Sequence, residues 1–177
     1  MNILIAPNSL KKTANATEAA NAIERGLKKS MPDARLTCMP IADGGEHTLE
    51  ILTGHMAGEI VTCDTTGPTG GPVEASYGIL PDHTAVIELS KASGYELLNG
   101  TDLNPLFTTT YGTGTMIKDA LERGCRKILL TLGGSATVDG GTGILEALGV
   151  KFFFSSRRRN TRYIAVTGVQ TCALPIC

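Results

Sequence analysis

No uninterrupted apolar run in this chain nears the roughly 18 residues that a membrane helix needs, and no membrane association is expected. The first apolar segment, Met1 to Pro7, is too short and uncharged for a signal peptide and is expected to be a strand. Cys-x-x-Cys spacing is missing. Cys38, Cys63 and Cys125 are isolated, which suits reduced thiols in a cytoplasmic protein and offers no zinc site. His47, His55 and His83 have no metal spacing either. There is no excess of basic charge up to residue 151. That stretch holds 12 Lys and Arg against all 17 Asp and Glu, a net of −5, which argues against general nucleic-acid binding. Acids and lysine vanish from residues 152–177, where four arginines give a net of +4. A step this sharp marks a boundary.

What is present belongs to a globular chain. Hydrophobic residues make up 42% and charged residues 19% of the chain, values unlike those of a disordered sequence. Residues 2–6 predict a strand. Residues 15–31 predict an amphipathic helix, opened by a capping box of Asn15 and Glu18 and carrying Ala19, Ile23, Leu27 and Met31 on one stripe. A second strand over 35–39 completes a strand–helix–strand unit, the seed of a parallel sheet. A short helix is expected over 46–52. Strands over 59–64, 72–79 and 84–89 are separated by short turn clusters, which favour antiparallel neighbours. A helix over 113–123 stops at Gly124, a strand covers 127–132, and a helix covers 141–148. The expected class is α/β: a doubly wound parallel-sheet part interrupted by a second α/β part with antiparallel strands. The first part spans 1–58 and the second 59–151. Residues 152–177 are expected to be a non-native tail without structure.

Several polar loops fall after strands or before helices, where doubly wound sheets bind ligands. Gly133 to Gly143 lies between a strand and a helix. Its backbone N–H groups, with Ser135 and Thr137, suit an anion, and Asp139 suits Mg²⁺; a structural turn is the other reading. Thr108 to Gly114 opens the preceding helix, either to bind phosphate or carboxylate or to cap the helix. Asp43-Gly44-Gly45-Glu46 sets two acids around two glycines, for a metal, for hydroxyl activation, or as a plain turn. Asn8 to Lys12 follows the first strand, where a lysine neutralises phosphate or is merely solvated. Glu88 to Gly94 is a further polar loop after a strand.

In this order the loops resemble those of the type I glycerate kinases. The family's first-strand loop, Ala-Pro-Asp-Ser-Phe-Lys-Gly, is matched by Ala6 to Lys12, with departures at Asn8, Leu10 and Lys12. Its Ala-Asp-Gly-Gly-Glu-Gly-Thr is matched by Ala42 to Thr48, with His47 in place of glycine. Its Asn-Pro-Leu-x-Thr-Thr-Thr-Tyr-Gly-Thr-Gly-Glu is matched from Asn104, with Thr115 in place of the acid. Its Gly-Gly-Ser-Ala-Thr-Asn-Asp-Gly-Gly is matched from Gly133 to Gly141, with Val138 in place of asparagine. The match covers residues 1–152, and family members are about twice as long. The tail from Phe152 resembles translated sequencing-adapter read-through, as in Ser155-Ser156-Arg157-Arg158-Arg159 and Val166-Thr167-Gly168-Val169-Gln170.

The resemblance implies ATP-dependent phosphorylation of D-glycerate, usually at the 2-hydroxyl, with Mg²⁺. It implies Lys11, Asp43 and Glu46 as catalytic residues. It implies Ser9, Gly44, Gly45, Thr110, Gly112, Thr113, Gly114, Gly133, Gly134, Ser135 and Thr137 as substrate or phosphate contacts, and Asp43 and Asp139 as metal ligands. A chain cut short before the family's second half is expected to be inactive by itself. The alternatives are a non-catalytic anion- or nucleotide-binding module, and phosphorylation at the 3-position or of a related small hydroxy acid.

Overall fold

The computed structural model describes residues 1–10, 13–99, 104–155 and 163–166. Strand β1 (Asn2–Ile5) pairs in parallel with β2 (Arg35–Cys38). Helix α1 (Ala16–Ser30) crosses between them. Its capping box is present: Glu18 N donates to Asn15 Oδ1 at 2.8 Å and Asn15 N donates to Glu18 Oε2 at 2.9 Å. Lys28 and Lys29 sit in its last turn, where they complement the helix dipole. The buried face differs from the expected stripe. Ala16, Ala19 and Ala20 are buried, whereas Ile23 is 45% exposed. Two four-residue strands offer too little surface to cover a helix of four turns.

Helix α2 (Thr48–His55) begins two residues later than expected. Gly44 at φ 88° and His47 at φ 66° keep the preceding residues in a loop. Strands β3 (Glu59–Thr66), β4 (Pro72–Ile79) and β5 (Thr84–Glu88) then run antiparallel, as the short turns predict. A crossover through the single turn α3 (Ser90–Ser93) and helix α4 (Tyr111–Glu122) brings β6 (Lys127–Thr131) in parallel beside β5. α4 starts two residues before the expected Thr113, and Gly124 follows it at φ 94°. Helix α5 (Thr142–Ala147) packs against α4.

The four-stranded mixed sheet, in the order β3-β4-β5-β6, carries the core. On one face Ala75, Tyr77, Ala85 and Ile87 meet Met116, Ile117 and Ala120 of α4. On the other, Val86 and Leu80 meet Leu49 of α2. Helix α2, the last helix before residue 59, thus packs on this sheet. Gly112 lets α4 start directly against β3, since a Cβ there would collide with the Thr66 carbonyl. Within the tail expected to lack structure, β7 (Phe152–Ser155) and β8 (Tyr163–Val166) pair antiparallel. Both runs are rich in aromatic or β-branched residues, which suit a pleated ladder. No helix among the described residues is long and apolar enough to cross a membrane.

Candidate active site

Three of the sequence motifs meet in one open cleft of about 630 Å³. Ser9 comes from the loop after β1, Asp43 and Glu46 from the loop after β2, and Gly133 and Gly134 from the loop after β6. Tyr95 and Glu96 close another wall. Lys11, expected beside Ser9, lies outside the described residues.

Each wall is tied to the next. Asn8 Nδ2 donates to Asp43 Oδ2 at 3.0 Å, and Asn8 Oδ1 accepts from Ser9 N at 2.7 Å. Asp43 Oδ1 accepts from Gly45 N at 3.1 Å, which curls the loop around its own acid. Gly133 N donates to Gly44 O at 2.9 Å. A Cβ on Gly133 would fall 2.5 Å from the Gly45 Cα, so only glycine permits this approach. Asp43 and Glu46 both present exposed carboxylates on this wall. Tyr95 OH donates to Glu46 Oε1 at 3.0 Å, and the neighbouring carboxylate holds the Tyr95 phenol above its ordinary value.

The fourth motif stands elsewhere. Thr110, Gly112, Thr113 and Gly114, expected to contact phosphate, are buried at the start of α4 and spent on internal contacts. Thr113 Oγ1 bonds Ser93 Oγ at 2.8 Å, and Gly112 O accepts from Thr65 Oγ1 at 2.8 Å. A Cβ on Gly114 would press within 2.7 Å of Ala147 and the Ile144 carbonyl, so this glycine seats α5 on α4. Thr110 makes no side-chain capping bond to α4, whereas Thr109 Oγ1 accepts from Tyr111 N, the first amide of the helix, at 3.1 Å.

Asp139, expected as a second metal ligand, is a knot between α4 and α5. Its Oδ2 accepts from Thr110 N at 2.8 Å, Thr110 Oγ1 at 2.9 Å and Gly143 N at 3.2 Å. Its Oδ1 accepts from Gly141 N at 3.1 Å. Burial works to raise its carboxyl, but the Thr110, Gly141 and Gly143 donors outweigh burial and hold it below the ordinary aspartate value. Ser135 and Thr137 bond each other at 3.0 Å on the surface beyond Gly134, outside the cleft lining. Among the described residues no group of three His, Cys, Asp or Glu converges as a metal cage.

Tyr95, which sequence reasoning missed, follows the polar loop Glu88 to Gly94. Only the pairing of Gly94 with Ser135, and of Tyr95 N with Gly134 O at 3.0 Å, carries it to the cleft.

A family model described as the Glycerate kinase family matches residues 3–168. The chain belongs to the glycerate kinase family. The family match runs past the composition step at residue 152. The Bacillus subtilis glycerate kinase is 46% identical over 157 residues, covering 88% of this chain and 41% of that protein. The Escherichia coli glycerate 2-kinase is 47% identical over 152 residues, covering 85% of this chain and 40% of that protein. A solved structure of a glycerate kinase 2 candidate from Salmonella typhimurium LT2 superposes with a TM-score of 0.76 at 44% identity, covering 88% of this chain and 42% of that one. This family member thus spans about two fifths of the length of the curated relatives it matches. Its mixed α/β architecture is shared with the Salmonella protein over the matched region.

Proposed function

We propose that this chain carries one wall of the active site of an ATP-dependent kinase that phosphorylates D-glycerate at its 2-hydroxyl to give 2-phosphoglycerate. The observation that supports it most is the convergence of Asp43, Glu46 and the Gly133-Gly134 backbone on one cleft from loops far apart in sequence. In this reading Asp43 or Glu46 accepts the hydroxyl proton as the glycerate oxygen bonds the γ-phosphorus and the bond to the β-phosphate oxygen breaks. Ser9 and the backbone of Gly44, Gly45, Gly133 and Gly134 hold anionic oxygens. Lys11 neutralises phosphate or the glycerate carboxylate. Phosphoryl transfer asks for such positioning and charge neutralisation rather than covalent help.

Mg²⁺ is bound in kinases by one or two carboxylates together with water and substrate phosphates, and neutralises charge that develops on the phosphoryl group. The exposed carboxylates of Asp43 and Glu46 fit that donor set. Asp139 fits it less well, because four donors already engage its two oxygens. The free thiols of Cys38, Cys63 and Cys125 accord with a reducing cytoplasm.

The test is turnover by a chimera in which residues 1–151 replace the matching segment of the Bacillus subtilis glycerate kinase. With D-glycerate, ATP and Mg²⁺ it is expected to release ADP and 2-phosphoglycerate. A cooperatively melting chimera that releases no ADP above a control without glycerate would overturn the reading. The same assay on the 177-residue chain tests the expectation that it does not turn over by itself.

A further inference from the structure

Helix α2 starts without a side-chain cap from its own flank, where Thr48 N finds a nearby acceptor in Gly45 O at 3.4 Å. His47 precedes it in the left-handed region, and its side chain makes no capping bond. The amides of a helix's first turn have no partner within the helix and need acceptors from elsewhere. One acceptor comes from 39 residues away: Leu49 N donates to Glu88 Oε1 at 2.8 Å. Glu88 closes β5 and is only 1% exposed.

A second tie runs beside the first. Lys91 Nζ lies 3.7 Å from Glu88 Oε2 and reaches Glu50 Oε1 at 2.9 Å. Leu49 and Glu50 both belong to the first turn of α2, directly after the Asp43–Glu46 loop. The other end of that loop hangs on Gly133, whose N–H holds the Gly44 carbonyl at 2.9 Å. Gly133 in turn lies just beyond Thr131, the β6 residue in register with Glu88. The acidic loop is therefore strung between two points, Glu88 at the end of β5 and Gly133 two residues past the end of β6. An apolar residue at 88 would fill the layer between sheet and helix without the desolvation that a buried carboxylate costs, but it would leave the Leu49 amide without its acceptor.

We propose that Glu88 is a positioning residue for the candidate active site: its buried carboxylate caps α2 and thereby holds Asp43 and Glu46 in place at the cleft. The step from cap to turnover rests on the kinase reading; the cap itself does not.

Two substitutions separate the cap from a merely structural charge. Glu88→Gln keeps the reach and an acceptor oxygen but loses the charge. Glu88→Asp keeps the charge but is one methylene too short to reach the amide. In the full 177-residue chain, Glu88→Asp is expected to speed amide exchange over residues 44–50 at least about tenfold, and Glu88→Gln to change it by less than about threefold, the scale of a hydrogen bond to a charged group. Exchange in β3 and β4 should stay native in both. Any other ranking of the two variants overturns the proposal. Should Glu88→Asp fail to melt cooperatively, the unsubstituted chain decides. Its Leu49 amide must exchange at least about a hundredfold slower than an unstructured amide, and unprotected exchange there overturns the cap. In the chimera, Glu88→Asp is expected to lower kcat at least about tenfold while KM for ATP stays within about threefold, the pattern of a misplaced reacting group. An unchanged kcat overturns the positioning role. A chimera without turnover even before substitution sinks the kinase reading instead, and amide exchange still tests the cap.

Discussion

Asp43 and Asp139 are chemically identical residues with different work. Asp43 is exposed at the cleft and shares its oxygens with Asn8 and Gly45. In the chimera, Asp43→Ala is expected to cut turnover at least about a hundredfold, the scale of a general base or metal ligand. A loss below about threefold would make Asp43 a turn residue only. Asp139 instead joins two helices. Asp139→Asn should cost about 1.5–3 kcal/mol, because hydrogen bonds to a charged carboxylate are lost. Its carboxyl lies below the ordinary 3.8 in the folded chain, so its stabilisation is complete above pH 3.8 and fades as pH falls through the folded value. Melting curves of the native chain and Asp139→Asn should thus converge on acidification below pH 3.8. A gap that stays constant down to complete acid unfolding would count against the carboxylate. The sequence named both aspartates as metal candidates. It offered no means of telling them apart, because the donors around Asp139 come from Thr110, 29 residues earlier, and from the turn that follows it.

At the scale of elements, local chemistry was readable where it acts within a few residues. The capping box of α1 joins residues three apart, and the sequence alone located it. Asn15→Ala should lower stability by about 1 kcal/mol, measured by denaturant titration. The starts of α2 and α4 were each misplaced by two residues, because their beginnings are set from outside. Glu88 and the left-handed His47 fix the first, and the close contact of Gly112 with the Thr66 carbonyl fixes the second. Gly112→Ala is expected to cost about 3 kcal/mol, since the added Cβ must push α4 away from β3. An unchanged melting temperature would show that this contact yields freely. The stripe expected on α1 was half right. Ala19 is buried, but a two-stranded sheet stops short of Ile23.

At the scale of the whole molecule, β5 is the organising strand. It pairs antiparallel with β4 and parallel with β6, its two faces meet α4 and α2, and its last residue is the buried Glu88. The segment after Lys151 contributes a separate two-stranded ladder. Removing residues 152–177 is expected to shift the melting temperature by no more than about 3 °C, or about 1 kcal/mol for a chain of this size. A larger fall would mean that the tail packs on the body.

The sequence by itself determined the order of strands and helices, the antiparallel run in the middle, and four polar motifs that carry the family resemblance. Those features depend on periodicity, turn residues and short-range hydrogen bonds, all written in neighbouring positions. Tertiary structure alone decided which motifs share a cleft. It turned Thr110, Gly112, Thr113, Gly114 and Asp139 inward as packing and ties, and brought Tyr95 to Glu46. It also set a buried Glu88 beneath the acidic loop. These outcomes depend on which strand ends lie side by side, and a parallel crossover joins residues too far apart in sequence for any local pattern to record.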